Sequence, residues 1–259
     1  MPMLPRLSIA LAGLVGVFVA SSAGAAQNSN PFGTSTPYES CVAAVAKNAA
    51  DGFEMAMTWR TQGGGLPADH CAALALLALD EPGEAASRLN ALAQRPDAGS
   101  REERAALLAQ SGNAWLLASQ VDNAETAFTA ALKLTPADAE VLTDRARARA
   151  ARQDWANAER DLSQALTFAK ATKPQIFVLR AAARHAQGNM LGYKADIDAA
   201  LAIDGTFPEA LVERGSMRLE AGDKAGARAD WLQVLLRSPD SPAADTVRNR
   251  IEALEVRDP

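Results

Sequence analysis

The chain has 259 residues, a formal net charge of −5, 48% apolar residues and only 5% aromatic ones. That apolar share supplies a core and excludes a disordered chain, and 58 alanines favour helix over strand, which excludes an all-β fold. The acidic balance lacks the basic face that nucleic-acid binders carry, so no nucleic-acid partner is expected.

Near the start, Arg6 is followed by an apolar run, Leu7 to Ala20, and then by small residues from Ser21 to Ala26. A basic start, a short apolar stretch and an A-x-A-like end predict a secretory signal peptide over 1–26, cleaved near Ala25 or Ala26. The run has 14 residues, too few for a membrane anchor, which needs about 20. No later segment is long and apolar enough, so no integral membrane span is expected after cleavage. Residues 27–38 are polar and contain Pro31 and Pro37, the pattern of a flexible leader. Export of a chain with two cysteines fits the bacterial periplasm better than a eukaryotic secretory route.

Residues 39–103 read as two irregular helical hairpins. The first pairs Ser40–Asn48 with Asp51–Trp59 and is ended by Gly63, Gly64 and Gly65. The second pairs His70–Leu79 with Glu84–Ala93 around a turn at Asp80 to Gly83.

Residues 104–240 hold four in-phase units: 104–137, 138–171, 173–206 and 207–240. A large apolar residue stands early in each: Leu108, Leu142, Phe177 and Leu211. A small one follows at Gly112, Ala146, Ala181 and Gly215, with spacings of 34, 35 and 34. Ala124, Ala158, Tyr193 and Ala227 come next, then the large Phe128, Leu162, Ile197 and Trp231, then Ala131, Ala165, Ala200 and Val234. Two helices per unit explain the pattern: the small residue on the first lets the second approach, and the large residue fills the space beside it. Such a unit cannot bury its own apolar face, so the units must stack. Turn signals separate the helices at Gln153-Asp154, Gly188-Asn189 and Gly222-Asp223. At the far end, Pro242 to Val256 reads as an amphipathic capping helix with Val247, Ile251 and Leu254 on one face, followed by a short tail over the rest of 241–259.

This pattern resembles the tetratricopeptide repeat (TPR) family, whose signature is a 34-residue helix-turn-helix with Leu, Gly, Ala, Phe, Ala and Pro at fixed offsets. The match is strongest over 104–137, where Leu108, Gly112, Ala124, Phe128, Ala131 and Pro136 are all in place. Departures are Tyr193 at a small-residue position, Lys170 and Gly205 at the proline, and Arg149, Arg184 and Arg218 where an aromatic is common, as at Trp115. The resemblance implies an all-α, right-handed superhelical solenoid with a C-terminal capping helix. It implies also a concave groove lined by the first helix of each unit and used to grip peptides. Repeat phase then assigns Asn113, Glu140, Thr143, Arg147, Gln175, His185, Glu209 and Ser216 as the polar groove residues, with Leu116, Val178, Val212 and Leu219 as apolar ones. One subset of the family clamps a C-terminal carboxylate with Lys, Asn and Arg. Of those positions only Asn113 agrees here, because Ala109, Asp144, Gln175 and Leu179 fill the others, so that ligand is rejected.

One covariation lies outside the signature. Arg145, Arg180 and Arg214 each have an aspartate 16 residues on, at Asp161, Asp196 and Asp230; in the first unit the two positions are Ser111 and Ala127. The spacing predicts structural ion pairs across three hairpins, since the arginine fork matches a carboxylate. The competing reading is that these arginines bind an anionic ligand. Cys41 and Cys71, the only cysteines, lie near the starts of neighbouring first helices in an oxidising compartment, and are expected to form a disulfide.

No enzyme signature appears: no Gly-x-Ser-x-Gly, Ser-x-x-Lys, His-Glu-x-x-His or phosphate loop. No metal-ligand set or cofactor motif is present either, and His70 beside Cys71 reads as structural. The expectation is a non-catalytic protein–protein interaction scaffold or adaptor, binding a peptide or partner protein. The alternatives are an envelope assembly or stability factor acting through its outer face or ends, and an enzyme or regulatory subunit with an unrecognised site.

Overall fold

A computed structural model describes residues 36–169 and 173–256. The expected signal peptide, most of the leader and the end of the tail lie outside the described residues.

Within them the chain forms thirteen helices. They are α1 (Thr36–Lys47), α2 (Ala49–Thr61), α3 (Gly65–Ala78), α4 (Pro82–Gln94), α5 (Arg101–Leu117), α6 (Val121–Leu134) and α7 (Ala139–Ala151). After these come α8 (Trp155–Phe168), α9 (Pro174–Ala186), α10 (Met190–Ile203), α11 (Pro208–Glu220), α12 (Lys224–Arg237) and α13 (Pro242–Val256). Consecutive helices pack as hairpins from α1/α2 to α11/α12, and α13 closes the row on α11 and α12. Each odd-numbered helix also touches the next odd-numbered one, α3 reaching α5 through His70 and Gln110, so the odd helices form one continuous row. The architecture is an all-α helical solenoid.

Local chemistry sets the hairpins. The chain reverses inside five of them through one residue at positive φ: Asp80 (63°), Ser119 (57°), Gln153 (62°), Gly188 (78°) and Gly222 (85°). Only glycine adopts that conformation without a steric cost, so the turns with Asp, Ser and Gln are held by the packing of the helices on either side. Between the helices, side-chain volumes match pair by pair. Gly112 faces Phe128 and Gly215 faces Trp231, while the alanines at Ala146 and Ala181 go with the smaller Leu162 and Ile197. A Cβ at Gly112 would lie 2.5 Å from the Phe128 ring, closer than any packed core allows.

The N-terminal end departs from the sequence reading. A leader was expected over 27–38, but α1 begins at Thr36 and Tyr38 is buried. Polar neighbours hide it in the sequence; in the fold its ring packs with Cys41, Ala56, Cys71 and Ala72. The Cys41–Cys71 disulfide joins α1 to α3, and both half-cystines are fully buried.

His70 sits beside this staple, also buried. Tyr38 Oη lies 2.7 Å from His70 Nδ1, and Gln110 Oε1 lies 2.7 Å from His70 Nε2. A neutral ring with its proton on Nε2 satisfies both partners: Tyr38 donates to Nδ1 and Nε2–H donates to Gln110. The ring thereby ties α1, α3 and α5 together. Burial lowers its pKa from 6.5 to about 4. An unfolded chain binds this proton near the ordinary value and the folded one only near pH 4, so stability rises with pH between the two. It is fully present above about pH 6.5 and is lost as pH falls, by roughly 3 kcal/mol in total. Thermal melts at a series of pH values across that window should show a steep slope for the native chain and a shallower one for His70→Gln. Parallel slopes would place the acid sensitivity elsewhere.

Candidate functional site

Two sets of polar side chains run along the solenoid, and they differ in how far they satisfy one another. The first lies between the two helices of each hairpin. Asp161, Asp196 and Asp230 on α8, α10 and α12 are almost wholly buried. Arg145 grips Asp161 through Nε (2.9 Å) and Nη2 (2.8 Å), and Arg180 and Arg214 hold Asp196 and Asp230 in the same two-pronged way. A second arginine, one helical turn on, completes each site: Arg149, Arg184 and Arg218 donate to the same carboxylates at 2.7, 2.9 and 2.8 Å.

These second arginines are the residues that depart from the family's aromatic position. Their role was missed in the sequence, although one signal was present: Arg-x-x-x-Arg occurs only in the three units that carry the aspartate. Trp115, in the unit with Ser111 and Ala127, fills the same place with a ring. The triads also reach backward along the stack. Arg149 bonds Glu125 and Arg184 bonds Glu159, each on the second helix of the preceding unit. In the first two triads the charges are consumed by one another and by the preceding repeat, which leaves little capacity for an anionic ligand; Arg214 and Arg218 of the third are 31% and 36% exposed.

The second set lies along the odd-helix row. Asn113 on α5 donates to Asp144 on α7 at 3.2 Å, and Arg147 forms an ion pair with the same carboxylate. Burial pushes the Asp144 pKa up, opposed by the Arg147 charge and the Asn113 hydrogen bond. Glu140, on the same helix, is exposed and pairs with Lys173 at 2.9 Å. Further along, the His185 ring lies 4.8 Å from that of Tyr193, whose hydroxyl donates to Glu213 at 2.6 Å. Burial and the adjacent Glu213 carboxylate push the Tyr193 pKa up. Glu209 is partly buried, and desolvation raises its pKa.

Of the groove residues assigned by repeat phase, the structure brings Asn113 and Arg147 together through Asp144, which the assignment left out of the polar set. Gln175, His185 and Glu209 are partly accessible, and Glu140 is exposed. Thr143 must be corrected: it is buried, and its hydroxyl donates to the Ala139 carbonyl of its own helix. Ser216 is likewise engaged, donating to the Val212 carbonyl and accepting from Arg250 of α13. The cap therefore covers a position that phase alone leaves open. Val178 and Val212 are core residues rather than groove lining. In each case the accessible part of the odd-helix row is narrower than the phase implies.

No protein-family model matches the sequence, and no curated protein does. Solved structures do. A tetratricopeptide repeat protein from Parabacteroides merdae superposes with a TM-score of 0.68 over 86% of this chain and 88% of its own, at 13% identity. The chain has the fold of the tetratricopeptide repeat proteins.

Pseudomonas aeruginosa pilF shares this TPR fold with a TM-score of 0.61, covering 83% of this chain and 97% of its own at 14% identity. A thermophilic TPR protein from Thermus thermophilus covers 71% of this chain and 97% of its own, with 17% identity and a TM-score of 0.50. At these identities the likeness is one of fold. The odd helices are the first helices of the repeats, so the Asn113–Asp144–Arg147 cluster lies on the odd-helix row. Among the described residues, no helix is long and apolar enough to cross a membrane.

Proposed function

We propose that this TPR solenoid is a non-catalytic interaction scaffold of the bacterial envelope, exported to the periplasm, that binds a peptide or a partner protein along its odd-helix row. One observation carries the reading: the charges between hairpin helices are largely spent on one another, whereas the odd-helix row keeps partly accessible polar side chains of several kinds. Asn113, Arg147, Gln175, His185 and Glu209 offer donors and acceptors at intervals set by the repeat, which suits an extended main chain or a docked helix. The signal-peptide pattern over 1–26 and the buried disulfide both favour an oxidising, exported setting.

Specific exposed side chains favour a second reading, an assembly factor working through its outer surface. Leu191 on α10 and Leu232 and Leu236 on α12 are large, apolar and open to solvent on even-numbered helices, with Leu191 and Leu236 87% and 79% exposed.

A photo-crosslinking amino acid at Gln175, which is accessible and lies on the odd-helix row, separates the two. Expressed in the exporting cell, it should give a dominant adduct that disappears when Arg147 and His185 are replaced by alanine. Adducts formed only from a control position at Leu236 would move the function to the even-helix face.

A further inference from the structure

The junctions between repeats are not equivalent. The apolar core is continuous from α3 to α9 and then divides. One boundary runs through α9, where Ile176 and Ala183 belong to the main core while Val178 and Ala181 belong to a separate cluster with α10. Another runs through α11, where Ala210 belongs to that cluster, with partly buried Phe207 and Met217 against it, while Leu211 and Val212 belong to the core of α11, α12 and α13; partly buried Leu201 touches both.

Polar contacts bridge the first boundary. From α9, Arg180 donates to Ser163 at 3.2 Å, and Arg184 and Gln187 both donate to Glu159 at 2.8 Å, all on α8. The preceding junction is fastened in the same way, by Arg145 to Thr129 and Arg149 to Glu125.

At the junction of α10 with α11 this pattern fails. Repeat phase puts Lys194 where Glu125 and Glu159 stand, so the position that supplies a carboxylate to Arg149 and Arg184 carries a cation in the repeat before Arg218. Lys194 also draws Asp198, the counterpart of Thr129 and Ser163, into an ion pair within α10 at 2.6 Å. Arg214 and Arg218 accordingly send their hydrogen bonds to Asp230 and Gly226 of their own hairpin.

The packing changes at the same place. Tyr193 occupies the position of Ala124, Ala158 and Ala227, and a phenol ring there holds the next helix away. Its hydroxyl, through Glu213, supplies a polar link from α10 to α11.

We infer that the α10/α11 junction is a hinge, about which α11, α12 and α13 move as one block against the rest of the solenoid, with the Tyr193–Glu213 hydrogen bond as its latch. A single neutral-to-charged hydrogen bond beside the small apolar contact of Ala210, Phe207 and Met217 is weak enough to open at ordinary temperature, unlike the long core shared by α3 to α9. Opening changes the width of the odd-helix row at its C-terminal end and frees the Glu213 carboxylate. The hinge is a property of the free protein, so it stands or falls independently of the proposed binding function.

Spin labels test it. Thr126, Arg160, Ala195 and Ala229 are exposed and in phase on α6, α8, α10 and α12. The native cysteines are locked in a buried disulfide, so cysteines introduced at these sites label selectively. The pair Thr126→Cys/Ala195→Cys and the pair Arg160→Cys/Ala229→Cys each span two junctions, and only the second pair spans α10/α11. Pulsed electron–electron distance measurements should give a broader distribution for the second pair. Tyr193→Phe, which keeps the wedge and removes the latch, should broaden it further. Lys194→Glu, which restores a carboxylate for Arg218 and releases Asp198 towards Arg214, should narrow it to the width of the control pair. Equal widths in the two unmodified pairs, or a distribution that neither substitution changes in proteins of native helicity, would overturn the hinge.

Discussion

Asp196→Ala should destabilise the solenoid by about 3–5 kcal/mol, the usual cost of removing one partner from a buried ion pair. The carboxylate is buried, and it accepts from Arg180 Nε at 3.0 Å, Arg180 Nη2 at 2.7 Å and Arg184 Nη1 at 2.9 Å. Its loss leaves two guanidinium groups, each mostly buried, facing one another without a counter-charge. Arg180→Ala should cost less, because Arg184 still neutralises the aspartate. Urea denaturation of both single variants and the double variant measures the coupling. Additive effects would mean that Arg180 and Asp196 do not act together. The chain also contains its own control. In the first full repeat the corresponding residues are Ser111, Trp115 and Ala127, with no charge among them. Writing that set into the third repeat, as Arg180→Ser, Arg184→Trp and Asp196→Ala together, should therefore recover most of the loss. An apolar replacement of a whole buried triad avoids its desolvation cost.

Breaking the Cys41–Cys71 disulfide should cost about 3–4 kcal/mol, the chain-entropy value for a loop of 30 residues. The loss should be local. The fully buried cluster around the bond is Tyr38, Cys41, Ala56, Cys71 and Ala72, with partly buried Val42, Val45, Phe53, Met57 and Trp59 against it, so α1 and α2 rest on a smaller and more open core than the helices farther along. Farther along, α5 to α8 share one extended core and do not touch the bond. Hydrogen exchange of the Cys41→Ser/Cys71→Ser variant should show amides of α1 and α2 exchanging rapidly while those of α5 to α8 stay protected. Uniform loss of protection would show a single cooperative unit, and no loss would show that the hairpin is stable without its staple.

Much of the fold is legible in the chain because a stacked repeat depends on near neighbours. The recurrence of small and large residues from Gly112 and Phe128 to Gly215 and Trp231 sets the two-helix unit. The turn positions at Gln153, Gly188 and Gly222 mark where the chain reverses, and the 16-residue interval places arginine and aspartate on facing helices. Each of these is a relation within one hairpin, where helix geometry fixes which side chains meet.

What the chain does not display are relations between hairpins. His70 finds Tyr38 and Gln110 at 32 and 40 residues' distance, and Tyr193 finds Glu213 on the next repeat. Arg250 of the cap covers Ser216, and Thr143 is buried in the stack. These contacts depend on the tilt and spacing of successive hairpins. The sum of many weak packing terms along the stack sets that geometry, and no local spacing encodes it. The scaffold follows from periodicity, whereas the accessible part of its odd-helix row, and the place where the stack yields, follow from how the repeats lean on one another.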